Sequence, residues 1–172
     1  MMNSNLQNGV RFVLLILIQV LILNNVYLSG YINPFVYLLI IMLLPFNIDR
    51  IWLLLIGFAT GLTLDLLSGG VIGLHAASAT LAAFIRPYLI QLISSQREFD
   101  SNITPSLKDM GFRWFFGYAF LFTLIHHFYY FLLEKFSFSG FGTTLWRIFL
   151  SAIVSTAVII LAQYVEYRPK KR

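Results

Sequence analysis

Residues 57–75 read GFATGLTLDLLSGGVIGLH and place a single carboxylate, Asp65, inside an otherwise apolar run. An aspartate at the centre of a membrane helix costs about 2.5 to 3.5 kcal/mol on insertion scales, and such residues usually face a bundle interior and are paired. Glycines surround it, and small residues let helix backbones approach closely and let the chain turn sharply. The stretch therefore predicts a tight hairpin of two membrane helices with Asp65 near its corner.

The composition of the whole chain agrees with this interpretation. Hydrophobic residues make up 59% of the 172 residues and charged residues 11%, and the mean hydropathy is +0.80. Soluble domains have about 25% charged residues, so the composition predicts an integral membrane protein. Each spanning helix needs roughly 20 apolar residues, which allows about six transmembrane helices and no soluble catalytic domain. We expect an all-α integral membrane protein, with residues 1–172 forming a single multi-pass transmembrane domain in one bundle.

Six apolar segments can be drawn, at residues 10–28, 31–46, 51–67, 71–93, 112–133 and 145–165. The second and third are short and are separated by only four residues, 47–50, so we expect them to insert together as a helical hairpin. The first segment has no small-residue cleavage site after its apolar run. We interpret it as a retained helix and not as a secretory signal.

The basic residues predict the orientation. With six spans and both termini cytoplasmic, ten of the twelve basic residues lie inside, and only Lys135 and Arg147 lie outside. Cytoplasmic loops of membrane proteins collect Lys and Arg, so this bias predicts cytoplasmic termini and a cytoplasmic polar loop at residues 94–111. Arg86 lies well inside the fourth segment. We expect the span to end there, with Arg86 snorkelling to the surface and residues 88–93 lying along the interface.

Asp65 and His75 lie at similar depth near the outer surface on this topology, symmetrically about Gly70. A contact between them across the hairpin would lower the cost of burying the carboxylate. The alternative is a corner carboxylate that reaches interfacial water, and the sequence leaves both open. Gly57 and Gly61 form a small-xxx-small pair, a pattern that often marks close helix packing.

The chain carries no recognisable catalytic or metal-binding motif. His126 and His127 are adjacent, so they point about 100° apart on a helix, and no HxxxH or ExxH pattern accompanies them. We interpret Trp114, Tyr129 and Tyr130 as interfacial aromatic anchors. No phosphate loop, nucleophile elbow, HExxH motif or pair of carboxylates at one depth is present, so we expect neither an enzyme nor a cofactor. Further polar residues are expected to make interhelical hydrogen bonds without converging on a site: Gln19, Thr123, Ser151, Ser155, Thr156 and Gln163.

The pattern G-L-x-L-D-L-L-x-G-G at residues 61–70, followed by I-G-L-H-A at residues 72–76, resembles the rod-shape-determining protein MreD family of bacteria. Residues 71–73 read Val-Ile-Gly where members commonly have Pro-Leu-Gly. The resemblance implies a noncatalytic plasma-membrane scaffold for cell elongation and peptidoglycan synthesis. Its implied partners are MreC, MreB, RodA and a penicillin-binding transpeptidase. The residues expected to set the outer-hairpin geometry that partners recognise are Gly57, Gly61, Asp65, Gly73 and His75.

The same resemblance implies a fold similar to the six-helix substrate-binding subunits of energy-coupling-factor vitamin transporters, and such a subunit is the alternative function. These subunits ordinarily offer small residues such as alanine, four apart, on the first helix for docking to a membrane partner. Residues 11–28, RFVLLILIQVLILNNVYL, contain no alanine, which favours the scaffold. The net charge of +5 is explained by basic residues in cytoplasmic loops. We therefore expect the chain to contact membrane lipid and not to bind nucleic acid.

Overall fold

The computed structural model describes residues 4–25, 32–94, 103–136 and 141–166, which form helices joined by turns and short non-helical stretches. Helix α1 (Ser4–Leu17) continues through a π-helical turn (Ile18–Ile22) into a 3₁₀ turn (Leu23–Asn25). The helices that follow are α2 (Leu38–Met42), α3 (Arg50–Ser68), α4 (Leu74–Ser94), α5 (Leu107–Met110), α6 (Phe112–Lys135) and α7 (Phe141–Glu166).

Four helices in the described ranges are long and apolar enough to cross a membrane: Arg50–Ser68, Leu74–Ser94, Phe112–Lys135 and Phe141–Val165. Gly9–Asn25 is a shorter apolar helix. These helices match five of the six predicted apolar segments, although residues 26–28 of the first lie outside the described ranges. The chain therefore has the make-up of an α-helical membrane protein.

The α3–α4 hairpin is closely packed because of two glycines. Asp49 begins α3, its carboxylate accepting a hydrogen bond from Ile51 N at 2.8 Å, and Gly69 ends it in the left-handed conformation at φ +67°. A Cβ added to Gly57 would lie 2.8 Å from Ala83 Cβ, and one added to Gly61 would overlap the backbone of α4. The pair predicted from the small-xxx-small pattern thus lies where the two helices touch.

The residues around the α3–α4 connection lie at one end of the bundle, which we call the hairpin end. Asn24 Nδ2, at the end of the first helical segment, donates to Ser68 Oγ at 2.9 Å. At the junction of α6 and α7, Glu134 pairs with Arg147 at 2.8 Å. Since α3, α4, α6 and α7 alternate in direction, Arg50 and Ser94 lie at the opposite end.

Residues 32–46, which we call the core segment, differ from the helix predicted over residues 31–46. Only Leu38–Met42 is helical, so the expected helical hairpin with the third segment does not form. Residues 34–43 are nevertheless all buried. Hydrocarbon offers no hydrogen bonds, so non-helical backbone at membrane depth is tolerated only where protein surrounds it and satisfies its polar groups.

Side chains from three helical segments supply those partners to the first half of the core segment. Gln19, in the π-helical turn, donates to Pro34 O at 3.0 Å and accepts from Val36 N at 2.9 Å. Ser151 and Ser155 of α7 accept from the backbone amides of residues 33 and 35, at 3.1 and 2.9 Å. His127 of α6 lies 3.0 Å from the carbonyl of residue 33. Three of the six residues expected to make separate interhelical bonds, namely Gln19, Ser151 and Ser155, therefore converge on one stretch of backbone. Thr123 and Thr156 do make the predicted interhelical bond, at 2.9 Å between α6 and α7.

Arg86 supplies the partners at the other end of the core segment. It is 1% exposed, and its guanidinium donates to the carbonyls of Met42 and Leu44. The last carbonyls of a helix lack intrahelical partners and favour a cation, so Arg86 completes the end of α2. The prediction that Arg86 snorkels to the surface and ends its span is wrong, since α4 continues through Pro87 to Ser94. Helix-breaking residues are tolerated in membrane helices where neighbours satisfy the freed backbone groups.

Candidate functional site

A cavity of about 360 Å³ opens at the hairpin end of the bundle. It lies between the first helical segment, the core segment, the α3–α4 corner and the α6–α7 junction. Its volume is at the lower end of the range of small-molecule pockets, about 300 to 1,000 Å³. The residues that line it are Leu23, Asn24, Ile32, Asn33, Pro34, Phe35, Asp65, Ser68, Gly70, Val71, Leu74, His75, Tyr130 and Arg147.

Asp65 lies at the edge of this cavity and binds the start of α4. One carboxylate oxygen, Oδ1, accepts from His75 N at 2.9 Å, and the other, Oδ2, accepts from Gly73 N at 2.9 Å and Ala76 N at 3.0 Å. The side chain is 2% exposed, so it does not reach interfacial water as one interpretation had it. The predicted contact with His75 is present, but it involves the backbone amide of His75 and not its imidazole.

This arrangement explains how a carboxylate is tolerated in the bundle. The first amides of a helix have no intrahelical partner, and the positive end of the helix dipole favours an anion there. Asp65 therefore caps α4 from the neighbouring helix and fastens α3 to α4 across the corner. Gly73 adopts φ +97°, a conformation that side chains rarely allow, and this turns its amide toward the carboxylate.

A hydrogen-bonded chain of three side chains runs from the cavity into the core. Tyr37 Oη of the core segment lies 3.3 Å from His75 Nδ1 and 2.8 Å from His126 Nε2. His126 and Tyr37 are both completely buried, and His126 Nδ1 has no partner in the described part of the chain. No sequence pattern predicts these contacts, because Tyr37 reaches both histidines only through the non-helical path of the core segment.

Aromatic rings form the floor of the cavity. The rings of Phe35, His75 and Tyr130 lie 4.8 to 5.2 Å apart, centre to centre. The interpretation of Tyr130 as an interfacial anchor is wrong, since its side chain is 8% exposed and lines the cavity. His126 and His127 also lie in the core, and no group of three or more His, Cys, Asp or Glu in the described ranges is placed to hold a metal ion.

The structure divides the five predicted site residues between two places. Asp65, Gly73 and His75 meet at the hairpin corner. Gly57 and Gly61 lie further along α3, against the backbone or side chains of α4, and do not line the cavity. They determine how closely the two helices approach, and this close packing helps to position the corner.

Neither the protein-family models, nor the curated proteins, nor the solved structures contain a match to this chain.

Proposed function

We propose that this chain is a noncatalytic scaffold in the bacterial plasma membrane, an assembly component of the cell-elongation machinery of the MreD type. The observation that carries the proposal is the set of hydrogen bonds that the Asp65 carboxylate accepts. Its two oxygens accept three backbone hydrogen bonds, all from the first turn of α4 or the residue before it. The residues of the motif therefore build the shape of one hairpin, as expected for a surface that partners recognise.

The engagement of Asp65 also argues against an enzyme. A general base or nucleophile must keep an oxygen available to the reacting group, whereas this carboxylate is buried and hydrogen-bonded on both oxygens. In the described ranges, one other acidic residue lies near the cavity. It is Glu134, which pairs with Arg147 at 2.8 Å. Such a pair is typical of a structural contact at the end of a helix.

The proposed topology has six passes with both termini cytoplasmic and the hairpin end facing outward. The distribution of basic residues supports this orientation. The core segment supplies the second pass, from Asn33 near the hairpin end to the carbonyls that bind Arg86 deeper in the bundle. This pass would be largely non-helical, since only Leu38–Met42 is a helix in it. Residues 95–102 of the polar loop at residues 94–111 lie outside the described residues.

Apolar and aromatic side chains cover the outer faces of the helices and suit lipid or the membrane helices of partner proteins. On α3 the exposed residues include Ile51, Trp52, Leu55 and Phe58. The proposed partners are an MreC-like protein, with MreB, RodA and a penicillin-binding transpeptidase. Partner helices in a membrane associate by close packing and interhelical hydrogen bonds, for which an exposed apolar helix face is suited.

Co-purification from native membranes tests the scaffold function. The chain, tagged at its carboxyl terminus and expressed at native level, is isolated in mild detergent, and bound proteins are identified by mass spectrometry. Recovery of cell-elongation proteins in constant ratio, and their absence from an unrelated tagged membrane protein, supports the proposal. Isolation without any of these proteins, from cells in which they are present, contradicts it.

The cavity favours a second candidate function, the substrate-binding subunit of a vitamin transporter of the energy-coupling-factor type. A scaffold does not require a 360 Å³ cavity with a mixed polar and aromatic lining. For this function, the same purification yields one small molecule per chain, and transport subunits replace the elongation proteins among the bound partners.

A further inference from the structure

Two polar atoms at the floor of the hairpin-end cavity make no hydrogen bond with the described part of the chain. They are Nε2 of His75 and the hydroxyl of Tyr130. Both residues line the cavity, and both atoms keep some accessible surface. The residues that carry them are each only 8% exposed, and their rings lie 4.8 Å apart. A small number of polar groups among apolar and aromatic walls is the usual arrangement for orienting a ligand in a cavity.

The buried neighbours of His75 determine whether its free nitrogen donates or accepts. His126 Nδ1 is buried without a partner, and an orphaned buried N–H is more costly and rarer than an unused acceptor. The proton of His126 is therefore assigned to Nε2, which donates to Tyr37 Oη. Tyr37 then donates to His75 Nδ1, which leaves the proton of His75 on Nε2. His75 thus presents an N–H donor to the cavity.

The charges around the cavity favour a neutral ligand. The Asp65 carboxylate lies in its wall and has no cation as partner, only backbone amides. Arg147 also lines the cavity, but its charge is offset by Glu134 at 2.8 Å. An anion would be repelled by Asp65, and a cation would meet the N–H donor of His75. The flat rings of Phe35, His75 and Tyr130 suit a planar molecule, because aromatic pairs gain energy from stacked or edge-to-face contact.

We propose that the cavity binds an uncharged planar small molecule through an acceptor oxygen that receives hydrogen bonds from His75 Nε2 and the Tyr130 hydroxyl. Amides, ketones and ring carbonyls have this chemistry. The inference does not depend on the scaffold role, and it gives the second candidate function a class of substrate. Failure of co-purification with elongation proteins leaves it intact, and failure of binding leaves the scaffold role intact.

Three fragments of nearly equal size test the class of ligand. The full chain is reconstituted in lipid nanodiscs and titrated with benzamide, benzoate or benzylamine, with binding followed by saturation-transfer-difference NMR against empty nanodiscs. Ligand efficiencies of drug-sized molecules place the Kd of a fragment such as benzamide at about 10 mM or tighter. Benzoate and benzylamine are expected to bind at least about fivefold more weakly, since each lacks either neutrality or an acceptor oxygen. Equal binding of all three, or no binding of benzamide, overturns the proposal.

The Tyr130→Phe variant separates binding from folding. Its hydroxyl has no protein partner in the described ranges, so its removal is expected to leave the melting temperature unchanged and to weaken benzamide binding about fivefold. Tyr129→Phe is the matched control, because Tyr129 lines an apolar groove on another face of α6. It is expected to bind benzamide as the wild type does. An unchanged Kd for Tyr130→Phe contradicts the proposed contact.

Nitrogen NMR of the reconstituted protein tests the donor directly. With ¹⁵N-labelled histidine, assigned by comparison with His75→Gln, the shifts of the two ring nitrogens report which one carries the proton. We expect the proton of His75 on Nε2, with its resonance moving when benzamide is added. A proton on Nδ1 of His75 would make the cavity a site for donor groups and overturn the proposed ligand class.

Discussion

Arg86 Nε donates to the hydroxyl of Tyr118 at 3.1 Å, and both side chains also donate to the carbonyl of Met42. These two residues, from α4 and α6, thereby close the end of the short helix α2 inside the bundle. A buried guanidinium is costly unless its donors are used. Here the backbone carbonyls of the core segment accept from them. The carbonyls thereby lower the cost of burying the charge, and the guanidinium lowers the cost of burying non-helical backbone.

Replacing Arg86 by Met should therefore destabilise the bundle by about 3 kcal/mol, since carbonyls of the core segment would lose donors that water cannot replace. Arg50→Met is the control, because Arg50 is exposed and its one contact of this kind within the described ranges is a cation–π contact with Tyr88. Its effect should stay within about 0.5 kcal/mol. Unfolding in mixed detergent micelles measures both. Similar losses for the two variants would show that Arg86 does not support the core segment.

Gln19→Leu tests the other end of the core segment. The substitution keeps the volume but removes the donor to Pro34 O and the acceptor for Val36 N, so a loss of about 3 kcal/mol is expected. Gln91→Leu, at an exposed position of α4, should change stability by less than about 0.5 kcal/mol. If Gln19→Leu is instead stabilising, the amide of Gln19 is not what holds the core segment in place.

The long helices could be predicted from sequence because each is a continuous apolar run, and this signal depends only on local residues. The core segment could not, because an apolar run of that length also fits a helix. What makes the non-helical form possible is the set of polar groups on α4, α6, α7 and the π-helical turn, more than 15 residues away in most cases. A hydropathy profile averages neighbouring residues and contains no information on such distant partners.

The corner of the α3–α4 hairpin was predicted more fully than the cavity was. Asp65 is a single charge flanked by glycines, so its burial near a turn follows from the cost of a charge in hydrocarbon. Which atoms it contacts does not follow, because a backbone amide carries no sequence signature. Tyr130 shows the same limit, since a tyrosine near a helix end fits the membrane interface and a cavity floor equally well.

Gly61→Ala examines the closeness of α3 and α4. The added methyl group would overlap the backbone of His75 and Ala76, so the helices must separate, with an expected loss of about 2 to 3 kcal/mol. Gly117→Ala in α6 is the matched control, because a Cβ there has open space. It should be neutral or stabilising by up to about 1 kcal/mol through helix propensity. Equal effects in thermal unfolding would remove the packing argument.

Asp65→Asn tests whether the hydrogen bonds at the hairpin corner are needed for the proposed function. An amide would direct N–H groups at backbone donors that the carboxylate now satisfies, so a loss of about 2 kcal/mol and a weaker link between α3 and α4 are expected. Under the proposed function, the variant should reach the membrane but fail to restore rod shape in a bacterium depleted of MreD. Asp49→Asn is the control, since Asn caps an exposed helix start as well as Asp does. It should restore rod shape fully.

A double variant of Asp65→Asn with His75→Gln distinguishes the two kinds of contact these residues could make. His75→Gln keeps the backbone amide that Asp65 binds and removes the ring contact with Tyr37, so the two substitutions affect separate hydrogen bonds. Their losses of stability should add to within about 0.5 kcal/mol. A coupling energy above about 1 kcal/mol would indicate a direct contact between the side chains. Wild-type cell shape with Asp65→Asn alone, expressed at native level, would contradict the proposed role of this corner in cell elongation.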